Sequence, residues 1–88
     1  MNTKEILEER GKTHGDFSDN ARVSQQLKMI VREEHGYRKL NPVQKEAIDM
    51  ILHKISRALC GNPNEPDHWE DMAGYSTLVV NRLKNVIE

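Results

Sequence analysis

The stretch LNPVQKEAIDMILHKISRALCG, Leu40–Gly61, decides the fold. Asn41 is an N-cap residue, and its side chain can accept from the first free backbone N–H groups of a helix. Pro42 takes the first helical position, where its missing N–H costs nothing. Gln44 stands where it can reach back to the cap. The pattern predicts a helix that runs to about Cys60 and stops at Gly61. At 100° per residue, Val43, Ala47, Ile48, Met50, Ile51, Leu52, Ile55, Ala58 and Leu59 spread over roughly 200°. An arc that wide touches several neighbours, so this is the central helix. The remaining, polar face carries Lys45, Glu46, Asp49, His53, Ser56 and Arg57.

Working outward, Asp16 is a natural N-cap for a second helix from about Phe17 to Glu34. Phe17, Ala21, Ser24, Lys28 and Val31 lie along one side of it, and Val23, Leu27, Ile30 and Glu34 along the next. Gly36 ends it, and HGYRKLNP links it to the central helix. Beyond Gly61, GNPNEPD is a turn with two prolines. A fourth helix is expected from near Asp67 to about Ile87, with an apolar stripe of Trp69, Met72, Ala73, Val79, Val80, Leu83, Val86 and Ile87. Ser76 sits inside that stripe, where a small residue points to close approach by another helix or a ligand. A short first helix, about Thr3 to Arg10, is expected to start on Thr3 and stop at Gly11. Strand patterns are absent. The fold class is all-α: a single domain over residues 1–88, built as a compact bundle of three long helices plus a short N-terminal one.

The chain has 88 residues, 36% apolar and 31% charged, with a formal net charge of −1. At this length a lone core is marginal, so completion by homo-oligomerisation is expected. The charge balance implies no broad basic field, which disfavours DNA as partner. Cys60 is the sole cysteine, so no internal disulfide forms, and no long apolar run suggests a membrane span. The expected location is cytoplasmic. His14, His35, His53 and His68 show no zinc spacing, and no nucleophile–base arrangement is evident, so catalytic residues are not assignable.

Four constellations bear chemistry. Lys54 falls inside the apolar arc of the central helix, where a lysine snorkels, pairs with a carboxylate or meets a ligand anion. With His53 and Arg57 it makes the group HKISR. In DHWEDMAGY, Asp67 and Glu70 read as an ordinary capping pair, which leaves Asp71, near Tyr75, as a partner for Lys54 or a metal ligand. Glu46 and Asp49, at i and i+3, are either solvated surface charge or, with Glu70 and Asp71, a carboxylate cage for Mg²⁺. The fourth is RGKTHGDFSDNA, Arg10–Ala21, a glycine-containing turn leading into a helix start, a place that can hold anions. It lacks the Walker pattern, and Asp16 and Asp19 oppose phosphate, so it reads as a connector with a cap.

ILEERGKTHGDFSDNA, LNPVQKEAIDMILHKISRAL and DHWEDMAGYSTLVV together resemble a family of small uncharacterised proteins of tailed phages and prophages. More distantly, the layout is similar to the all-α MazG-like nucleoside triphosphate pyrophosphohydrolases, which are helical, oligomeric and Mg²⁺-dependent. EAID supplies one ExxD pair of the kind those enzymes use, and WEDMAG supplies Glu70 and Asp71, but no full EExxE is present. The resemblance implies a nucleotide-binding protein with pyrophosphohydrolase-like activity in the host cytoplasm. Glu46, Asp49, Glu70 and Asp71 would hold Mg²⁺, and Lys54, Arg57 and Arg10 would hold phosphates, with His14 and Tyr75 beside them. The alternative is a non-enzymatic oligomer that sequesters a host signalling nucleotide or binds a host protein. On either reading Arg10 and His14 are expected to pack beside the Lys54–Arg57 and Asp71 blocks.

Overall fold

A computed structural model describes residues 2–85. Four helices account for most of them: α1 (Thr3–His14), α2 (Phe17–Glu33), α3 (Pro42–Cys60) and α4 (Pro66–Leu83), with a 3-10 turn at His35–Lys39 between α2 and α3. The described residues contain no strand, and the helices pack as a small all-α bundle. The expected end of α4, with Val86 and Ile87, lies outside the described residues.

α3 is the central helix. It packs along α4 and α2 and touches α1, whereas α1 and α2 make only slight contact with one another. Its start is the capping box read from the sequence. Asn41 Oδ1 accepts from Gln44 N at 2.8 Å, and Gln44 Oε1 accepts from Asn41 N at 2.9 Å. Gly61 caps its end, as expected, its N–H donating to the Arg57 carbonyl.

The first helix departs from the reading above. Asn2, not Thr3, is its N-cap, with Oδ1 accepting from Glu5 N at 2.8 Å. It also runs straight through Gly11 to His14 and stops at Gly15, whose φ of 84° lies in the region that favours glycine. A packing contact selects Gly15. A Cβ there would overlap the Cys60 carbonyl, and a Cβ on Gly61 would overlap the Thr13 carbonyl. The C-terminal ends of α1 and α3 therefore meet backbone against backbone, and both meeting points have to be glycine. At Gly11 a Cβ would meet nothing within 4 Å.

The start of α4 is also corrected. Pro66 occupies the first turn and Glu65 precedes it without a side-chain cap, so Asp67 lies inside the helix and caps nothing. Proline excludes itself from helix interiors but suits the first turn, where its fixed φ is already helical.

The largest departure concerns the interior. Among the described residues, only Ala47 and Ala58 are buried apolar residues, while Asn20, Ser24, Ser56 and His68 are buried polar ones. Ser56, placed on the polar face of α3, is fully buried because the start of α2 packs over that face. Phe17 and Ile30, assigned to apolar sides of α2, are 81% and 68% exposed. α2 instead turns Asn20, Ser24, Leu27 and Val31 inward, a row spaced at helical intervals.

Candidate functional site

The α1–α2 corner is held by hydrogen bonds. Asn20, on the first turn of α2, donates from Nδ2 to the His14 carbonyl and, at 3.1 Å, to the Asp16 carbonyl. Its Oδ1 lies 3.1 Å from Ser56 Oγ of α3, whose one proton is shared with the His53 carbonyl at 2.7 Å. One side chain thus ties the end of α1, the cap of α2 and the middle of α3. The Thr13 carbonyl accepts from Asn62 N at 2.9 Å and lies 3.0 Å from His68 Nε2. A carbonyl only accepts, so that nitrogen carries the proton. The His68 ring then lies tilted against the His14 ring, centroids 5.5 Å apart.

This corner forms one wall of a cleft of about 750 Å³. Leu7, Arg10, Gly11 and His14 of α1 line it, with Gly15, Asp16, Phe17 and Asn20 from the turn and α2, and His53 and Arg57 from α3. The volume lies in the range of small-molecule sites. Two arginines and two histidines face one carboxylate. That carboxylate, Asp16, is engaged in capping: Oδ2 accepts from the Ser18 hydroxyl and from Ser18 N and Asp19 N. The Ser18 hydroxyl bond, with the backbone bonds, holds the Asp16 carboxyl below its ordinary range.

The cleft is electropositive, and its histidines register that. Burial first, then the charge of Arg57 and smaller contributions from His68, Lys54 and Arg10, lowers the pKa of His14 below 6.5. His53 is lowered from the same value, first by burial, then by Arg57, Lys28, Lys54 and His14. Both imidazoles therefore favour the neutral form at neutral pH. His14 Nδ1 is buried without a hydrogen-bond partner, as is Ser24 Oγ.

The residues singled out from the sequence divide into two groups. Arg10, His14 and Arg57 come together in the cleft, beside the connector RGKTHGDFSDNA. Lys54 and Tyr75 do not line it. Lys54, nearly buried, points its ammonium to Asp71 of α4 at 2.9 Å, the pairing expected for a lysine inside an apolar arc. That bond and the lysine charge lower the Asp71 pKa. Of the four proposed metal ligands, Asp71 is thus held by Lys54, and Asp49 lies 3.6 Å from Arg32. Glu46 and Glu70 are exposed. Among the described residues, no three His, Cys, Asp or Glu side chains group as metal ligands would.

Sequence reasoning did not find Leu7, Phe17 or Asn20 as parts of the cleft, nor Ser56 and His68 as its support. A phenylalanine just after a cap looks like the first core residue of a helix, and no local signal marks it as a lip. Asn20, one turn after Asp16, is the residue whose spacing could have been read as a tie between cap and turn.

A second, smaller concavity of about 260 Å³ lies between α3 and α4, lined almost entirely by apolar atoms of Leu40, Ala47, Ile48, Ile51 and Val79, with Gln44 and Ser76. Ser76 lies at the rim of this concavity and is exposed. None of the described helices is long and apolar enough to cross a membrane.

A family model described as a domain of unknown function, DUF6378, matches residues 2–83, and the chain belongs to that family. No curated protein matches the chain, and no solved structure does.

Proposed function

We propose that the α1–α2–α3 cleft binds a nucleotide or a closely related phosphorylated small molecule. The observation that carries this reading is that Arg10 and Arg57, from helices far apart in sequence, line one cleft of small-molecule size with His14 and His53. Guanidinium groups offer paired donors that match phosphate oxygens. The two histidines, neutral in the empty cleft, would gain protons as an anion enters. Phe17, 81% exposed at the lip, offers a flat apolar face on which a base would stack. The capping carboxylate of Asp16 disfavours phosphate at that end and suits a ribose hydroxyl or a base N–H. The ligand would thus lie with its base towards Phe17 and its phosphates towards Arg10 and Arg57.

The distant resemblance to MazG-like pyrophosphohydrolases supports the nucleotide class of ligand. Between hydrolysis and sequestration, one observation favours sequestration: Asp49 and Asp71 are engaged by Arg32 and Lys54. On this reading Mg²⁺ arrives as the counter-ion of the nucleotide, and the basic residues of the chain supply the affinity.

Calorimetric titration of the full chain with a panel of nucleoside triphosphates and cyclic or modified nucleotides, with Mg²⁺ and with EDTA, tests it. One ligand per chain, bound in EDTA and weakened roughly 10- to 100-fold by Arg57→Ala, is the expected result; this is the loss typical of a charge-assisted hydrogen bond. Absence of binding across the panel would falsify the proposal. Steady pyrophosphate release with Mg²⁺, abolished by Asp71→Asn, would replace sequestration with hydrolysis.

A further inference from the structure

The protomer is less compact than its size allows. A folded monomer of 10.2 kDa exposes about 5,300 Å². This chain exposes 6542 Å². Its radius of gyration is 14.9 Å, against about 12 Å for a globule of this length. The surplus surface, on the order of 1,000 Å², is close to what one partner contributes to a standard protein interface, ~800 Å².

α4 contributes exposed apolar side chains to this surface: Trp69, Leu78, Val80 and Leu83. Its inner face, with His68, Met72, Tyr75 and Val79, packs towards α3. Beside that face, Trp69, Ala73, Ser76, Val80 and Leu83 recur at alternating steps of four and three residues, the spacing of a helix–helix seam. All five are exposed; Trp69, Val80 and Leu83 are 55%, 45% and 65% accessible. The seam is self-complementary. Large residues, Trp69 and Leu83, stand seven positions either side of Ser76, and the middle is small. Laid antiparallel against a copy of itself about Ser76, the seam would set Trp69 against Leu83 and the two serines together at the dyad. Glu70 and Lys84 lie on one flank of the seam. In an antiparallel pair like flanks meet, so Glu70 of each copy would face Lys84 of the other, twice per dimer.

We propose that α4 is a homodimerisation helix, and that a second copy of this chain covers the Trp69–Leu83 seam in antiparallel, two-fold fashion. The paired seams would leave the Arg10–Arg57 cleft, which contains no residue of α4, open on each protomer. A two-fold interface requires one patch to complement itself, and this stripe does so in both size and charge. The inference is independent of what the cleft binds.

Sedimentation equilibrium of the full chain, over a wide concentration range, tests it. Wild type is expected at twice 10.2 kDa. Ser76→Glu would set two carboxylates together at the dyad and weaken dimerisation roughly a hundredfold or more. Ser76 is exposed in the protomer, so the helical circular dichroism of the variant should be preserved. Glu70→Lys or Lys84→Glu alone should weaken the dimer several-fold, and the two together should restore it. A wild-type monomer at every concentration overturns the proposal. So does an assembly that Ser76→Glu leaves intact, or a double charge swap that fails to restore what each single swap removes.

Discussion

The corner where α1 and α2 meet the end of α3, and the outer face of α4, invert the usual distribution of polarity. The corner buries Asn20, Ser56 and His68 and fastens them with directional bonds. The α4 face leaves Trp69, Val80 and Leu83 in the open with no hydrogen-bonding role beyond the Trp69 indole, which donates to the Pro63 carbonyl at 2.8 Å. Buried polar groups are costly unless every partner is in place, so they fix one geometry. Exposed apolar groups fix nothing by themselves and gain from any complementary surface. One region therefore holds a shape, and the other offers apolar surface that a partner, as proposed, would cover. The cleft lies against the region that holds its shape, so the proposed ligand would meet prepositioned groups.

The contrast is broken most severely at the glycine joint. Gly61→Ala places a methyl group into the Thr13 carbonyl and the His14–Gly15 backbone, none of which is a flexible side-chain end. A loss of about 3 kcal/mol or more is expected, enough to unfold a domain of this size at moderate temperature. Gly11→Ala, in open space within the same helix, should raise stability slightly, since alanine is the better helix former. Thermal unfolding of the two variants side by side checks the pair. Equal effects would mean that the α1 and α3 ends do not meet as described.

A smaller effect is expected at Asn20. Asn20→Ala removes the donor to the His14 carbonyl and the acceptor for Ser56, and should cost about 2 kcal/mol in urea unfolding. A change at an exposed seam position such as Leu83→Gln should stay within about 0.5 kcal/mol for the monomeric protomer. Similar losses at both positions would remove the distinction between the two regions.

The smallest expected effect is a pH dependence. His14 and His53 have folded pKa values below their ordinary 6.5. The unfolded chain therefore binds protons at these sites before the folded chain does. Their contribution to stability is full above pH 6.5 and is lost as pH falls through the lower folded values. The unfolding midpoint should drop on going from pH 7.5 to about 5.5, and His53→Gln should flatten the slope. A midpoint that rises on acidification contradicts the burial of these two histidines beside Arg57.

Much of the fold was legible in advance because α3 announces itself: Asn41, Pro42, Gln44 and Gly61 act locally, and local signals survive in the sequence. The glycine that ends α1 was not legible. Gly11 and Gly15 are both able to stop a helix, and only the approach of Cys60, distant in sequence, separates them. Ser56 and Asn20 were hidden for a related reason, since a polar residue counts as surface until its partner is known. Of the candidate site, Arg10, His14 and Arg57 were singled out by residue type and do share one cleft. Lys54 was picked out by its place in an apolar arc, and its partner is Asp71, on the side of α3 that faces α4. Spacing along one helix does not say which neighbour a face will meet, and that is why the approach of Arg32 to Asp49 was not legible.

If the cleft binds phosphate as proposed, the imidazole resonances report on it from inside. The measurement is an NMR titration of the four histidines against pH, with and without a saturating nucleoside triphosphate. His35, on the exposed 3-10 turn away from the cleft, serves as an internal reference. Bound phosphate should raise the pKa of His14 and His53 above their depressed values and leave His35 unmoved. If the nucleotide leaves His14 and His53 titrating as they do in its absence, or moves His35 as much, phosphates do not occupy this cleft.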